Sequence, residues 1–366
     1  MRVLCAMSGG VDSSVAAATL LEAGHEVVGM TLRLYDASGH RTQRRGGSCC
    51  SPAEVDRARH VCDLLGIPHY TVDETELFTR TVIDPFARDY ARGRTPNPCT
   101  RCNQHVKFAP LLRRARALGA TALATGHYAR VEGGALLRGV DPGKDQSYFL
   151  FSLGRQILPS LRFPLGALRK EEVRARARAL GLPSADAPDS QELCFVPSGH
   201  HGDVVEARLR ALGEGADTLA AGEVVDAAGH VLGRHGGIHR VTVGQRRGLE
   251  IPGTERRYVL RVVPERRRVV VSAPEELLVA TLEVEELQDL GLPGASFRAE
   301  VQVRHNARAS AAFVEVTGPS SARVTFDDPV RAVAPGQAAV FYVGPRVVGG
   351  GWIRETGAAD AGPRDG

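Results

Sequence analysis

Along the first two hundred residues, short apolar runs alternate with longer segments whose apolar residues recur every three to four positions. The run closing at Cys5 predicts a strand, and residues 15–22 a helix. Residues 26–34 read as a second strand, residues 52–65 as a helix stopped by Gly66, and residues 68–72 as a third strand. Residues 109–118 predict an arginine-studded helix closed at Gly119, and the apolar run 122–125 follows it. This rhythm implies an α/β domain: a mostly parallel sheet with helices on both faces. Ligands on such sheets sit beyond the carboxyl ends of the strands, where residues 6–14 and Thr125-Gly126-His127 fall.

Near residue 203 the pattern changes. Helical periodicity fades after residues 206–212, and short valine-rich runs bounded by Gly, Pro and Asp take over. They lie at 222–225, 258–263, 268–272, 297–303, 312–316, 322–326 and 338–343, a spacing that predicts small β-rich domains with a break near 273–280. From Thr356 the composition predicts a disordered tail.

Bulk numbers refine this picture only slightly. A chain of 366 residues exceeds one ordinary core, so two or three domains are expected. The net charge of +4 is mild, but Lys107, Lys144 and Lys170 are the only lysines, so arginine supplies nearly all the basic charge. Arginine suits bidentate phosphate contacts, and an arginine-rich codon bias gives the same composition; charge therefore permits nucleic-acid binding without establishing it. No apolar run approaches the roughly 18 residues of a membrane span, and the first strand starts at residue 2, so a cytoplasmic chain without a leader is expected. Seven cysteines, an odd number, argue against a disulfide framework and leave some free, reactive or metal-bound.

Two short strings carry candidate chemistry. In Ala6-Met7-Ser8-Gly9-Gly10-Val11-Asp12-Ser13-Ser14, a glycine pair between strand and helix lets backbone N–H groups approach an anion, and three serines add hydroxyl donors. Asp12 can hold a metal ion against a phosphate or cap the helix. Neither a Walker loop nor the GxGxxG spacing is present. In Thr95-Pro-Asn97-Pro98-Cys99-Thr-Arg-Cys102-Asn103, two prolines stiffen the loop that presents Cys99 and Cys102, with Arg101 favouring the thiolate. A third cysteine, Cys194, closes Asp189-Ser-Gln-Glu-Leu-Cys. Cys5 and Cys62 fall inside predicted elements and read as small buried hydrophobes, whereas Cys49 and Cys50 fall in a polar loop and receive no role. Sulfur relay and metal ligation are both open to the trio Cys99, Cys102 and Cys194.

The string at 6–14 resembles the pyrophosphate loop (PP-loop) of ATP pyrophosphatases. With residues 95–103, 124–128, 144–149, 189–195, 244–249 and 335–342, the chain as a whole resembles the bacterial tRNA-uridine 2-sulfurtransferases, the MnmA family. The resemblance implies a Rossmann-like PP-loop domain over 1–203, a small central tRNA-contacting domain over 204–273, a C-terminal β-barrel over 274–355 and a tail over 356–366. It implies ATP contacts from Ala6, Met7, Ser8, Gly9, Gly10, Val11, Asp12, Ser13, Leu32 and Gly126, with Mg2+ beside the pyrophosphate. Asn97, Pro98 and Cys99 would line the pocket of the flipped target base. His127, Lys144, Asp145, Gln146, Arg304, His305 and Gln337 would contact tRNA; His127 could be a core histidine, but its place beside Gly126 favours the tRNA or nucleotide contact, and 144–146 without the resemblance read as a polar loop.

The implied reaction is ATP-dependent adenylation of the uracil 2-oxygen at wobble uridine 34 of the Lys, Glu and Gln tRNAs. Sulfur then comes from a persulfide on Cys194, loaded by a sulfur donor protein or cysteine desulfurase. Cys102 is the other catalytic thiol, and a Cys102–Cys194 disulfide is left behind. A monomer on one tRNA is implied. Some members carry Asp where this chain has Cys99, which leaves the general base open and makes a [4Fe–4S] cluster on Cys99, Cys102 and Cys194 the competing chemistry. Another PP-loop thiolase or synthetase, or a non-catalytic tRNA-binding or zinc-stabilised module, are the rival readings; the intact SGGVDSS string speaks against the last.

Overall fold

The computed structural model describes residues 1–35, 52–186, 193–196, 200–249, 251–252 and 256–358. The chain opens with β1 (Arg2–Ala6), α1 (Val11–Glu22), β2 (Glu26–Arg33), α2 (Pro52–Leu65), β3 (His69–Asp73) and α3 (Thr75–Phe78). Next come α4 (Asp84–Ala91), α5 (Pro98–Cys102), α6 (Ala109–Ala117), β4 (Ala122–Ala124), the hairpin β5 (Ala129–Glu132) and β6 (Ala135–Arg138), β7 (Leu161–Arg162) and α7 (Lys170–Ala179). Then follow α8 (His201–Leu212), α9 (Ala216–Leu219), β8 (Gly222–Val225), β9 (Val231–His235), β10 (Tyr258–Val263) and β11 (Arg268–Ser272). The last strands are β12 (Leu278–Asp289), β13 (Ser296–Gln302), β14 (Ser310–Gly318), β15 (Ser321–Arg331), β16 (Ala338–Val343) and β17 (Arg346–Ala358).

Contacts divide the chain into two compact units, the first built from residues 1–82, 98–198 and 345–347 and the second from the rest. In the first, a five-stranded sheet runs in the order β3-β2-β1-β4-β7 with every pairing parallel. Buried on both faces, its central strands read as continuous apolar runs rather than alternating ones. Val3 and Cys5 of β1 and Ala122 and Ala124 of β4 enter one core with Val15 and Leu20 of α1, Val61 of α2 and Val173 and Ala177 of α7. Leu4 and Leu123 point the other way and are equally buried, and α6, in which Leu111 and Leu112 are buried, contacts the same two strands. Burying each large side chain stabilises the sheet by about 1.5–3 kcal/mol. Cys5 and Cys62 lie inside this core, and burial pushes both thiols up to about 12, so they behave as inert hydrophobes.

The second unit holds two β structures. A four-stranded sheet, β10-β11-β8-β9, packs Val224, Val259, Val269 and Val271 against Ile238 and Val241. The last six strands run β12-β15-β14-β13-β16-β17 and close through β12–β17 pairing into a barrel. Along β13, Phe297, Ala299 and Val301 are buried while Arg298 and Glu300 between them are exposed, the period-two alternation of a strand with one face inside. The expected tail is corrected at its start: Thr356 and Gly357 lie in β17, paired with Leu282 and Thr281, because the closing strand needs their backbone groups. Residues 359–366, like Cys49, Cys50 and positions 189–192, lie outside the described residues.

Residues 83–97, which the sequence places within the first α/β stretch, group with the second unit. There α4 pairs Asp84 with Arg208 and Arg88 with Glu214, and stacks Tyr90 on His201 at 4.4 Å, all on α8 or just after it.

Candidate active site

Ala6 ends β1, and the loop Met7–Gly10 turns the chain into α1. Gly9 sits at φ +74°, and a Cβ there would lie 2.4 Å from the Glu54 carbonyl oxygen, so only glycine fits. Gly10 begins α1 without a side-chain cap. The loop is braced from within instead: Ser13 and Ser14 hydroxyls donate to the Gly10 carbonyl (3.1 and 2.9 Å), and the Ser8 N–H donates to Ser13 Oγ (3.1 Å). Met7 is fixed by its N–H on Met30 O and by Thr31 Oγ1 on its carbonyl, both 2.8 Å. Leu32, two residues on in β2, is buried. A 12-residue helix thus starts at a rigid glycine loop with its first amides uncapped, the arrangement that receives phosphate.

Gly126 comes to the same place. A Cβ on it would lie 2.8 Å from Asp12 C and Ser13 N, so the Thr125–Tyr128 turn packs directly on the loop. The Tyr128 hydroxyl donates to Asp12 Oδ1 at 2.8 Å, and Lys170 Nζ, at the start of α7, donates to Oδ1 and Oδ2 at 2.8 and 2.9 Å. Neither Tyr128 nor Lys170 was among the residues expected from the sequence. Tyr128 lay inside an expected motif, while Lys170 carried only its rarity as one of three lysines.

His127 is held by Thr125 Oγ1 at 2.7 Å from its Nδ1 and flanked by the rings of Phe108 (5.7 Å) and Phe163 (6.1 Å). Burial, and then the nearby Lys107 charge, push its pKa down to about 3, so the imidazole is neutral. The 144–146 loop is joined to Tyr128: the Gln146 side chain accepts from Tyr128 N–H (3.0 Å), and the Gln146 N–H donates to Tyr128 O (2.9 Å). Asp145 accepts from Arg138, from the Gly139 and Ser147 amides and from the Ser147 hydroxyl, at 2.9–3.1 Å. Its carboxylate shapes this loop internally, and Lys144 stands on the turn before it.

Pro98 starts α5, whose Cys99 is exposed and whose Cys102 is buried. A π-helical turn over Asn103–Phe108 carries α5 into α6, and Asn103 Nδ2 donates to Phe149 O at 3.1 Å. Cys194 is half-buried, and the next residue, Phe195, is buried edge-on against Phe78 at 5.8 Å. Among the described residues no three Cys, His, Asp or Glu side chains are gathered to hold a metal ion, and Cys99, Cys102 and Cys194 are all described. A magnesium ion does fit Asp12, because Mg2+ is ordinarily held by one or two carboxylates plus substrate phosphates rather than by an all-protein cage.

The remaining expected residues lie in the second unit. Asn97 is buried there, and Gln337 Nε2 donates to the carbonyls of Thr95 (3.0 Å) and Pro96 (3.1 Å). Arg304 Nη2 donates to Val243 O at 2.7 Å, beside the left-handed Gly244 (φ +83°). Gln302 Nε2 donates to the carbonyls of Arg304 (3.0 Å) and His305 (2.7 Å).

A parallel sheet with this glycine loop, followed by a small sheet and a closed barrel, defines a PP-loop protein with two β appendages. Residues 1–198 match the family profile of the tRNA methyl transferase HUP domain, 215–273 the tRNA methyl transferase PRC-barrel domain and 281–353 the aminomethyltransferase β-barrel domain. The chain is 50% identical to a tRNA-specific 2-thiouridylase MnmA of Rhodospirillum centenum over 98% of this chain and 93% of that one. It is 48% identical to those of Geobacter metallireducens (96% and 96%) and Acidothermus cellulolyticus (99% and 100%). The chain belongs to the MnmA family of tRNA-specific 2-thiouridylases. A solved 4-thiouridine synthetase–RNA complex with bound ATP is far more distant: TM-score 0.35 and 15% identity over 58% of this chain and 51% of that one.

Proposed function

We propose that this chain thiolates position 2 of the wobble uridine 34 in the Lys, Glu and Gln tRNAs at the expense of ATP, in the cytoplasm, as a monomer on one tRNA. The observation that carries the reading is that one unit of a chain 50% identical to a 2-thiouridylase holds both an uncapped phosphate loop and the thiols Cys102 and Cys194. Methyl transfer, the activity in two of the profile descriptions, needs neither.

In this reading the loop amides of residues 8–13 receive the ATP phosphates, while Leu32 and Gly126 border the nucleoside. Mg2+ bound at Asp12 would supply charge neutralisation on the phosphates. The uridine 2-oxygen attacks the α-phosphorus, the bond to the bridging oxygen breaks, and pyrophosphate leaves as N3 gives up its proton. Adenylation matters because the carbonyl oxygen is otherwise a poor leaving group. The terminal sulfur of a Cys194 persulfide, supplied by a sulfur donor protein or cysteine desulfurase, then adds at C2 and AMP departs with the oxygen. The Cys102 thiolate attacks Cys194 Sγ, the S–S bond to the substrate sulfur breaks, and 2-thiouridine is released with a Cys102–Cys194 disulfide. A thiol reductant resets the pair. Asn97, Pro98 and Cys99 would meet the flipped base, and His127, Lys144, Asp145, Gln146, Arg304, His305 and Gln337 would shape or line the RNA path.

The test is anaerobic turnover with ATP, magnesium, a persulfide donor and unmodified glutamate tRNA, following AMP, pyrophosphate and retardation on a mercury gel. Wild type should form all three products. Cys102→Ser and Cys194→Ser should still release AMP and pyrophosphate with tRNA but lose the mercury shift. tRNA binding with no AMP formed would sink the enzymatic reading in favour of a binding module. Thiolation that requires added iron would return the cluster to the site.

A further inference from the structure

Lys170 is the feature of the loop that the reading above leaves unused. Its ammonium, one-tenth exposed, holds both oxygens of Asp12, and the Tyr128 hydroxyl takes a third position on the same carboxylate. Two observations set it apart from an ordinary surface pair. It is the first residue of α7, where the helix dipole disfavours a cation, and the first turn carries Glu171 and Glu172, as that dipole favours. Its backbone is also fixed, with the Lys170 N–H on Asp141 Oδ2 at 3.0 Å and the Arg169 N–H on Glu172 Oε2 at 2.6 Å. The side chain is therefore the mobile part: a flexible stem whose compact ammonium can change partners without moving the helix.

A carboxylate offers about four acceptor positions, and three here are taken. One position is left, so a divalent ion entering at Asp12 competes with this lysine for the same two oxygens. We propose that Lys170 is a further catalytic cation of the adenylation step: it neutralises Asp12 while the loop is empty, yields the carboxylate to the divalent ion that enters with ATP, and moves onto the phosphate chain that leaves as pyrophosphate. The charges balance at each stage. The empty loop is neutral as Asp12–Lys170, and the loaded loop has the ammonium released just when phosphate charge arrives. Donors aimed at developing negative charge in a water-poor site each contribute about 10²–10³ in rate. The proposal rests on the ATP-dependent reading above.

Lys170→Met and Lys170→Arg test it with two readouts. Mn2+ affinity of the nucleotide-free protein, followed by paramagnetic resonance, should rise about tenfold in Lys170→Met, because the competitor for Asp12 is gone. AMP release per tRNA should fall by about 10² in Lys170→Met and by no more than about tenfold in Lys170→Arg, which keeps the charge and guards against a variant that fails to fold. Unmoved Mn2+ affinity would mean that Lys170 does not compete for Asp12, and unchanged AMP release from Lys170→Met would mean that it only props the loop; either result would overturn the proposal. The Mn2+ measurement needs no turnover. A wild type that forms no AMP therefore counts against the proposed reaction, and the metal titration still judges Lys170.

Discussion

His127 shows what a single residue conceals in sequence. Beside Gly126 it reads as a nucleotide or RNA contact, yet two phenylalanines and Thr125 hold its ring, and burial keeps it neutral down to about pH 3. His201 in the second unit is similar: burial, and then the facing His200, lower its pKa to about 4, and its ring stacks on Tyr90. Folded-state values below the free value of about 6.5 mean that the unfolded chain takes up protons first as pH falls. Stability from these groups is present above pH 6.5 and is lost as pH falls toward 4 and then 3. Melting temperature should therefore drop between pH 7.5 and 4.5, and less steeply in His201→Phe, which keeps the stacking surface without the titration. Parallel curves for wild type and variant would remove His201 from the account. The glycine loop, by contrast, was legible because its shape is set by local sequence. Lys170 was not, since its partner Asp12 is 158 positions away.

At the level of elements, the strands bounded by glycine, proline or aspartate were readable: β8, β10, β11 and β16 begin and end where their turn residues predict. The misses have physical causes. β12 carries Glu283, Glu285 and Glu286 among its apolar residues and reads as polar, while β17 runs through Gly349-Gly350-Gly351, a string that suggests a turn. In the barrel, a side chain on Gly351 would come within 2.4 Å of Val284 and one on Gly349 within 2.6 Å of the Gln288 carbonyl oxygen, so close strand packing selects these two glycines. The segment bearing Cys194 was legible as a motif, but what anchors it was not. Its thiol is half-buried, and its fixed point is the next residue, whose ring is buried against Phe78. Phe195→Ala removes that anchor, at a cost of about 3–5 kcal/mol if the segment were fully cooperative with its core. The proposed mechanism then predicts at least a tenfold slower sulfur transfer with AMP release and ATP affinity unchanged, and partial recovery in Phe195→Leu. Single-turnover mercury-gel kinetics measure this; equal losses in adenylation would mean that Phe195 supports the whole unit instead.

For the whole molecule, the sequence suggested successive domains, whereas the chain interleaves: residues 83–97 leave the first unit, pack with the second and lead directly into Pro98 and the cysteine helix. Nothing local announces this, because α4 is an ordinary short amphipathic helix whose partners lie beyond residue 199. The end of this segment is tied down most firmly. Thr95 N–H donates to Pro335 O at 2.8 Å, Arg94 pairs with Glu285, and Gln337 donates to two successive carbonyls, those of Thr95 and Pro96. A Cβ on Gly336 would stand 3.0 Å from Thr95 O, so the Pro335–Gln337 turn is shaped to this backbone. Gln337 was expected at the tRNA surface, and its two roles separate in kinetics. Gln337→Ala leaves two carbonyls unpartnered, worth about 1–3 kcal/mol of local order just before the cysteine helix. A positioning role lowers kcat by about tenfold with the tRNA KM and its salt dependence intact. An RNA contact raises KM, flattens the salt dependence and leaves kcat alone. Because both amide hydrogens of Gln337 are already directed at the Thr95-Pro96 backbone, the first outcome is expected, and a pure KM effect would refute it.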